Sequence, residues 1–415
     1  MNQALGLLPQ VEIALKELAT NHKPEGSTEK ALIDQWLHAL SSDSDLYRKK
    51  SLCEDTDEFK QQVLSLIQDR VGSLDSLDSI IKCVNSKSAT FRFIDLFAGI
   101  GGVRLGFEAA KGVCVFSSEF DAKAQLTYKA NHGDFPFGDI TKITEEDSNN
   151  IPDHDVLLGG FPCQAFSIAG YRQGFDDEKG RGNLFLNIHE ILKVKKPKAF
   201  LLENVKNLQG HDGGKTFKII KTSLEELGYS VIHKVMNSME YGNVPQTRER
   251  IYIVGFKDEV GSQPGDNTDT LTAKFKWPET EKLTKTIRTV LESNVDDQFY
   301  YEKYACHEKL AKEMTREDTV YQWRRHYVRE NKSNVCPTLT ANMGTGGHNV
   351  PLILDENRRI RKLTPRECSY VQGFPDSFVI PKGIANSHLY KQFGNSVTVP
   401  VIKKIALEIE RLINL

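Results

Sequence analysis

The sequence predicts an α/β fold in which a mostly parallel sheet is covered by helices, preceded by a helical extension and accompanied by a smaller domain. Three observations predict it. Before residue 88, apolar residues recur at helical spacing; from Phe91, short apolar runs alternate with helix-length segments; beyond Lys257, both patterns lapse into polar, turn-rich chain.

In STEKALIDQWLHAL, Leu32, Trp36, Leu37 and Leu40 share one helical face, and DEFKQQVLSLIQDRV repeats the pattern, so residues 1–88 are assigned to a helical extension. A Ser- and Asp-rich stretch then leads to FRFIDLFAGIGG. The runs FRFIDLF, VCVFSSE, DVLLGGF, AFLLENV, YSVIHKVM and RIYIVGF read as six strands in βαβ units, whose ligands belong at the C-terminal strand ends. KDEVGSQPGDNTDTLTAKFKWPET opens a region without this alternation, and the amphipathic VTVPVIKKIALEIERLINL is expected to pack back on the sheet. The expected boundaries are 1–88 for the extension, 89–284 for the sheet domain, completed by 386–415, and 285–385 for the smaller domain.

A chain of 415 residues with 39% hydrophobic residues can bury more than one core. No apolar stretch approaches the roughly 20 residues of a membrane span, and no signal-type segment opens the chain, so a cytoplasmic protein without membrane association is expected. The seven cysteines are scattered and never form CxxC, which points to free thiols; the eleven histidines lack HxxxH or HExxH spacing, so no metal is expected. The net charge of −2 leaves no global footprint for nucleic acid. Residues 1–90 carry ten Lys/Arg against fourteen Asp/Glu, whereas WRRHYVRENK (323–332) and NRRIRKLTPR (357–366) are locally cationic, either as solvated runs or as nucleic-acid contacts.

The first strand ends in AGIGG (98–102), and glycines at a strand-to-helix turn let a ligand approach the backbone at the helix N-terminus. A GxGxxG dinucleotide fingerprint needs glycine at 104, where this chain has Arg104, and the pyrophosphate reading loses ground. At the second strand end, Glu119 suits a pair of ribose hydroxyls and Phe120 a stacked base. In FGDIT, Asp139 suits an adenine amino group and Ile140 the other face of its ring. Ordinary turn chemistry competes with this adenosine-type pocket.

Cys163, in GGFPCQAFS, follows the third strand, where a thiol has access, although inert packing is the usual lot of a cysteine. The aperiodic SIAGYRQGFDDEKGRGNLF after it reads as a long mobile loop. Glu203 and Asn204 close the next strand on the same sheet edge, and Arg248 and Arg250 enter a later strand at alternating spacing. A thiol, a carboxyl and two guanidiniums suit addition to an electron-poor ring: the thiolate adds to a conjugated carbon, activating its neighbour, and a protonated carboxyl stabilises charge on the ring.

These residues resemble the DNA (cytosine-5) methyltransferases, particularly the bacterial restriction-modification type. DLFAGIGGVRLGFE (95–108), GDIT (138–141), GGFPCQAFS, GRGNLF (180–185), LLENVKNL (201–208), VPQTRERIYIVGF (244–256), RKLTPRECSYVQGFPDSF (361–378) and QFGNSVTVP (392–400) match that family's motifs in order, over residues 91–415. The resemblance implies an S-adenosylmethionine-dependent methyltransferase (Rossmann-like) fold with the cofactor touching Phe97, Gly99, Ile100, Gly101, Glu119, Phe120, Asp139 and Ile140, and Leu184, Asn395 and Ser396 completing the pocket. It implies that Cys163 attacks cytosine C6, that Glu203 holds N3 and the amino group, and that Arg250, with Arg248, secures the base and its phosphate.

Further implications are a cytosine flipped from double-stranded DNA, Ser167 entering the vacated space, and a target-recognition domain with a Thr-Leu pair at Thr338 and Leu339. The cationic runs then read as phosphate or base contacts. The resemblance also implies a monomer, nucleoid-associated, working beside a cognate restriction endonuclease. The extension lies outside the shared motifs, and its role stays open between DNA contact, solubility and partner binding. The competing readings are a tRNA cytosine-5 methyltransferase, disfavoured by the substantial recognition segment, and a silent DNA-binding regulator, disfavoured by the presence of Cys163 and Glu203. Amino-group methyltransferases are disfavoured because their Asp/Asn-Pro-Pro-aromatic tetrapeptide appears nowhere.

Overall fold

A computed structural model describes residues 2–25, 27–41, 56–72, 89–161, 184–258, 270–324, 326–331, 334–343 and 351–415. Two compact units make up the chain: Met1–Lys234 with Ile251–Lys276 and Leu407–Leu415, and Val235–Arg250 with Trp277–Ala406.

In the first unit, α1 (Asn2–His22), α2 (Glu29–Ser41) and α3 (Thr56–Val71) form the extension. Then follow β1 (Phe91–Leu96), α4 (Gly102–Glu108), β2 (Gly112–Ser118), α5 (Ala122–His132), α6 (Ile140–Asp147), β3 (Val156–Gly159), α7 (Leu184–Lys195), β4 (Ala199–Val205), α8 (Lys215–Glu226) and β5 (Tyr229–Asn237). After β6 (Gln246–Thr247), which pairs elsewhere, β7 (Glu249–Lys257) returns to the sheet. All six apolar runs are strands of one sheet, in the order β2-β1-β3-β4-β7-β5. β1 runs parallel to both β2 and β3, and β3 parallel to β4. β2 and β3 are buried along their whole length, the mark of a parallel sheet covered on both faces.

Local chemistry starts the helices. The Asp121 carboxylate accepts the amides of Lys123 and Ala124 at the head of α5, and Asp139 accepts the Thr141 amide at the head of α6. The apolar side chains of α2 do more than the sequence indicates. Its whole span from residue 31 to 40 is buried, including the polar Asp34, Gln35 and His38, because a second set of neighbours covers the face that patterning assigns to solvent.

The second unit holds a four-stranded sheet in the order β12-β11-β8-β9, made by β8 (Tyr321–Arg324), β9 (Tyr327–Glu330), β11 (Pro351–Leu354) and β12 (Ile360–Lys362). β10 (Cys336–Pro337) pairs in parallel with β6. Leu310, Met314, Tyr321, Leu352, Leu354 and Ile360 form the core of the four-stranded sheet. Helices α9 (Pro365–Val371) and α10 (Asn386–Asn395) follow. The amphipathic final segment forms α11 (Val399–Ile413), whose last residues belong to the first unit; there Glu410 accepts from the Thr90 hydroxyl and Glu408 from the Lys276 amide. Among the described residues, no helix is long and apolar enough to cross a membrane.

Asp95, inside β1, is 1% exposed and its Oδ2 has no hydrogen-bond partner. Burial pushes its pKa up to about 8, opposed by Arg104 and reinforced by the carboxylates of Glu108, Glu119 and Asp134. Unfolded, this carboxyl ionises near 4; folded, it holds its proton to about 8. Folding therefore takes up a proton between those values, and stability falls as pH rises through that window. Asp95→Asn is expected to stabilise the protein by about 2 kcal/mol or more at pH 8, a gain that closes as the pH is lowered toward 4. Melting curves of both proteins across that range measure it.

Candidate active site and nucleic-acid interface

The ends of β1 and β2 and the segment at Phe137–Gly138, which bridges to Ser118, are hydrogen-bonded to one another. The Ala98 amide donates to the Ser118 carbonyl (3.0 Å), the Glu119 amide to the Phe137 carbonyl (2.8 Å), and the Ser118 hydroxyl to the Gly138 carbonyl (2.8 Å). The residues expected to hold the adenosine portion, from Phe97 to Gly101 and then Glu119, Phe120, Asp139 and Ile140, thereby share one edge of the sheet.

The turn itself has left-handed backbone at Phe97 (φ 55°), Gly99 (φ 56°) and Gly101 (φ 84°). At a bulky residue such as Phe97 that conformation costs roughly 1–2 kcal/mol, the sort of strain that persists where the surroundings enforce it. Glu119 is 8% exposed and enforces part of it, accepting the Gly99 amide at Oε2 (2.8 Å) and the Asp121 amide at Oε1 (2.7 Å). A Cβ at Gly99 would face open space, whereas one at Gly101 would lie 2.0 Å from His132 Nε2. Gly101→Ala is therefore expected to cost about 3 kcal/mol, from left-handed strain plus overpacking, read by denaturant unfolding.

An open glycine turn, an adjacent buried carboxylate and a Phe120 ring that is 74% exposed fit an adenosine ligand. Asp139 uses Oδ1 for both the Thr141 amide and hydroxyl. Ile140 is buried, and Leu184 opens α7 half-buried. Asn395 and Ser396 lie in the second unit, at the end of α10.

Cys163 and Ser167, with residues 167–183 of the segment read as a mobile loop, lie outside the described residues, whereas Leu184 and Phe185 at its end belong to α7. The chain entering that segment is well placed. Gly159 at the end of β3 pairs with Leu202 in β4, so the residue that follows, Glu203, stands at the same end of the sheet. A Cβ at Gly160 would lie 3.8 Å from Glu203 Oε2. Asn204 Nδ2 donates to the Phe161 carbonyl (2.9 Å), clamping the backbone that leads to Cys163. Sequence reasoning noticed Asn204 but found no task for it, since its partner lies on another strand.

In the second unit, Arg248 is 2% exposed. Its guanidinium donates to the carbonyls of Leu339 (3.0 Å), Gly394 (3.3 Å) and Ser396 (2.5 Å). It thus ties the Thr338-Leu339 segment to the end of α10. Arg250 is half-buried and donates to the Glu249 carbonyl (2.8 Å). Thr338 and Leu339 divide in the same way: Leu339 is fully buried, its amide donating to Gln246 Oε1 (3.0 Å), whereas Thr338 lines a cleft of about 360 Å³. Thr247, Gln322, Arg324, Arg329 and Thr340 share that cleft. Arg324 Nε is buried without a hydrogen-bond partner, and Arg329 forms no ion pair among the described residues.

The two cationic runs part company. The first supplies Arg324 and Arg329 to the cleft. In the second, Arg358 pairs with Glu317 (3.1 Å), Arg359 with Asp297 (3.0 Å) and Glu302 (2.9 Å), and the buried Arg361 with Glu367 (2.7 Å). That run is largely engaged in internal pairing; its acidic partners are distant in sequence or lie just beyond its end.

The sheet and its glycine turn define an S-adenosylmethionine-dependent methyltransferase fold, and comparison with known proteins narrows the class. A family model described as C-5 cytosine-specific DNA methylase matches residues 91–411. Type II methyltransferase M.Bsp6I of Bacillus sp. (strain RFL6) is 51% identical over 317 residues, covering 75% of this chain and 96% of that protein. Type II methyltransferase M.HhaI of Haemophilus parahaemolyticus is 39% identical over 350 residues, covering 81% and 99%. The S. pombe Dnmt2 methyltransferase structure shares the fold, with a TM-score of 0.56 and 21% identity over 78% of this chain and 100% of that one. The chain belongs to the C-5 cytosine-specific DNA methylases. Its activity is DNA (cytosine-5) methyl transfer.

Proposed function

We propose that this enzyme methylates C5 of a cytosine flipped out of a specific duplex sequence, through a transient bond between Cys163 and ring carbon C6, protecting DNA beside a cognate restriction endonuclease. One observation carries the reading: the register of β3 and β4 brings the chain leading to Cys163 against Glu203, with Asn204 clamping it.

The thiolate of Cys163 adds to C6, and the ring's electron pair shifts toward C5 and N3, while Glu203 holds N3 and the amino group by hydrogen bonds. S-adenosylmethionine, when bound, supplies the methyl group that C5 takes. Loss of the C5 proton to solvent then restores the ring, and the C6–S bond breaks to return the thiolate. Attack on the ring face requires the base to leave the stack, and Ser167 is assigned to the space it vacates. Phe97, Gly99, Ile100, Gly101, Glu119, Phe120, Asp139, Ile140 and Leu184 hold the cofactor, with Asn395 and Ser396. Arg250 secures the base, and Arg248 acts from within, holding the Thr338 segment in place.

Target recognition is assigned to 285–385, and its cleft carries the chemistry that duplex DNA needs: two guanidiniums beside amide and hydroxyl groups. Arg324→Ala and Arg329→Ala are each expected to weaken binding of the cognate duplex about tenfold. Fluorescence anisotropy at several salt concentrations reads it, and an undiminished affinity in both variants would place recognition elsewhere.

Duplex DNA carrying 5-fluorocytosine at the target tests the mechanism, because fluorine cannot leave C5 as a proton does. An SDS-resistant adduct is expected, and its absence on DNA of the correct sequence would exclude the covalent route. Bisulfite sequencing of DNA from cells expressing the protein identifies that sequence.

A further inference from the structure

The helices of the extension precede the family match, which begins at residue 91, yet their seat on the first unit is specific. One side of α2 faces α1 and α3, where Trp36 meets Phe59 edge-on at 5.5 Å between ring centroids. Its other side meets β2 and α5. Gln35 Nε2 donates to the Val115 carbonyl, Asp34 pairs with Lys129, and His38, one turn beyond Asp34, is buried. β2 is an edge strand of the sheet, and α2 covers it.

A helix whose task was only to cover apolar surface would not carry three polar residues into the interior, since an unpaired buried polar group costs roughly 1–3 kcal/mol. Behind these residues lies a buried ionic network. Arg104, from the first turn of α4, donates to both Asp134 oxygens (2.7 and 2.8 Å), the Tyr128 hydroxyl (3.0 Å) and Glu108 (2.6 Å). His132 Nδ1 lies 3.6 Å from Glu108, and the same ring fills the space beside Gly101. The Asp34–Lys129 pair seats α2 on α5, the helix that carries Tyr128 and His132. Burial holds both His38 and His132 below the usual imidazole range, so each is neutral and adds no repulsion to Arg104. The glycine turn thus rests on His132 and Arg104, and these share their network with α2.

We infer that α2 is a positioning element for S-adenosylmethionine binding: His38, Gln35 and Asp34 close the Arg104–Asp134 network to water, and the network holds the 97–101 turn in its strained, ligand-ready shape. This rests on the assignment of that turn to the cofactor. Water admitted to the network weakens its ion pairs, because their strength depends on the low dielectric around them. A turn with three left-handed residues keeps its shape only while its surroundings enforce it.

The test uses the full chain with His38→Leu, His38→Gln and the double variant Asp34→Asn/Gln35→Leu, measuring S-adenosylmethionine affinity by calorimetry and amide hydrogen exchange. His38→Leu and the double variant are expected to bind about five- to twentyfold more weakly, with faster exchange at residues 97–108 and unchanged exchange in β4. His38→Gln, which keeps a polar group of similar reach, is expected to restore most of the affinity. Wild-type affinity and wild-type exchange at 97–108 in folded His38→Leu would overturn the inference. Should His38→Leu fail to fold, the shape-preserving double variant decides it by the same two readouts. A wild-type protein that bound no S-adenosylmethionine would instead remove the cofactor assignment itself.

Discussion

Methyl transfer is expected to fall at least about a thousandfold in Cys163→Ser, while duplex DNA and S-adenosylmethionine still bind. Serine keeps nearly the shape of cysteine, so the site retains its form. Its hydroxyl, however, is scarcely ionised at neutral pH, and an un-ionised oxygen is a poor nucleophile toward a ring carbon. Tritiated methyl incorporation measures the rate, and filter retention of labelled duplex reports binding. A variant that stayed active would move the nucleophile to another residue. One that lost DNA binding as well would make Cys163 a structural residue. The 5-fluorocytosine adduct should vanish in the same variant, which ties the rate loss to the C6 bond rather than to an indirect effect.

Arg361→Ala is expected to destabilise the protein by about 3–5 kcal/mol, the largest stability change foreseen here. Arg361 and Glu367 are 1% and 0% exposed and share two hydrogen bonds, of 2.8 and 2.7 Å. Glu367 also accepts the amides of Thr364 (2.8 Å) and Glu292 (2.8 Å), closing the capping box at the head of α9. Removing the guanidinium strands a carboxylate in the interior with amide donors but no countercharge. Arg361→Met combined with Glu367→Gln removes both charges and should recover most of the loss, because the cost arises from the orphaned partner rather than from the missing pair. Urea unfolding of the single and double variants measures the coupling. Equal losses in Arg361→Ala and the double variant would show that the site tolerates an unpaired carboxylate. Arg361 sits in a run that resembles a phosphate-binding stretch, and the effect expected of it is on folding.

That residue shows where reading the chain stops. Arg361, Arg358 and Arg359 are indistinguishable by sequence from Arg324 and Arg329, because cationic composition does not say which carboxylates lie opposite. Glu317 and Glu302 are brought to the run by the packing of separate elements. Arg248 illustrates the same limit. Its three carbonyl acceptors, in Leu339, Gly394 and Ser396, lie far along the chain, and nothing near position 248 announces them.

Residues 91–257 were legible because their signals are local. Apolar runs of strand length, glycines at a strand-to-helix turn and acidic residues at strand ends each act within a few positions, and the parallel sheet follows from their alternation. The six strands, the glycine turn and the family of the chain are written in such local patterns. Packing sets Asn204 against the chain that leads to Cys163, pairs one cationic run internally, and buries the polar face of α2 against β2. The division has one physical cause. Propensity, turn chemistry and hydrophobic period are properties of neighbouring residues, whereas burial of a charge and the pairing of a side chain with a distant carbonyl depend on which surfaces meet.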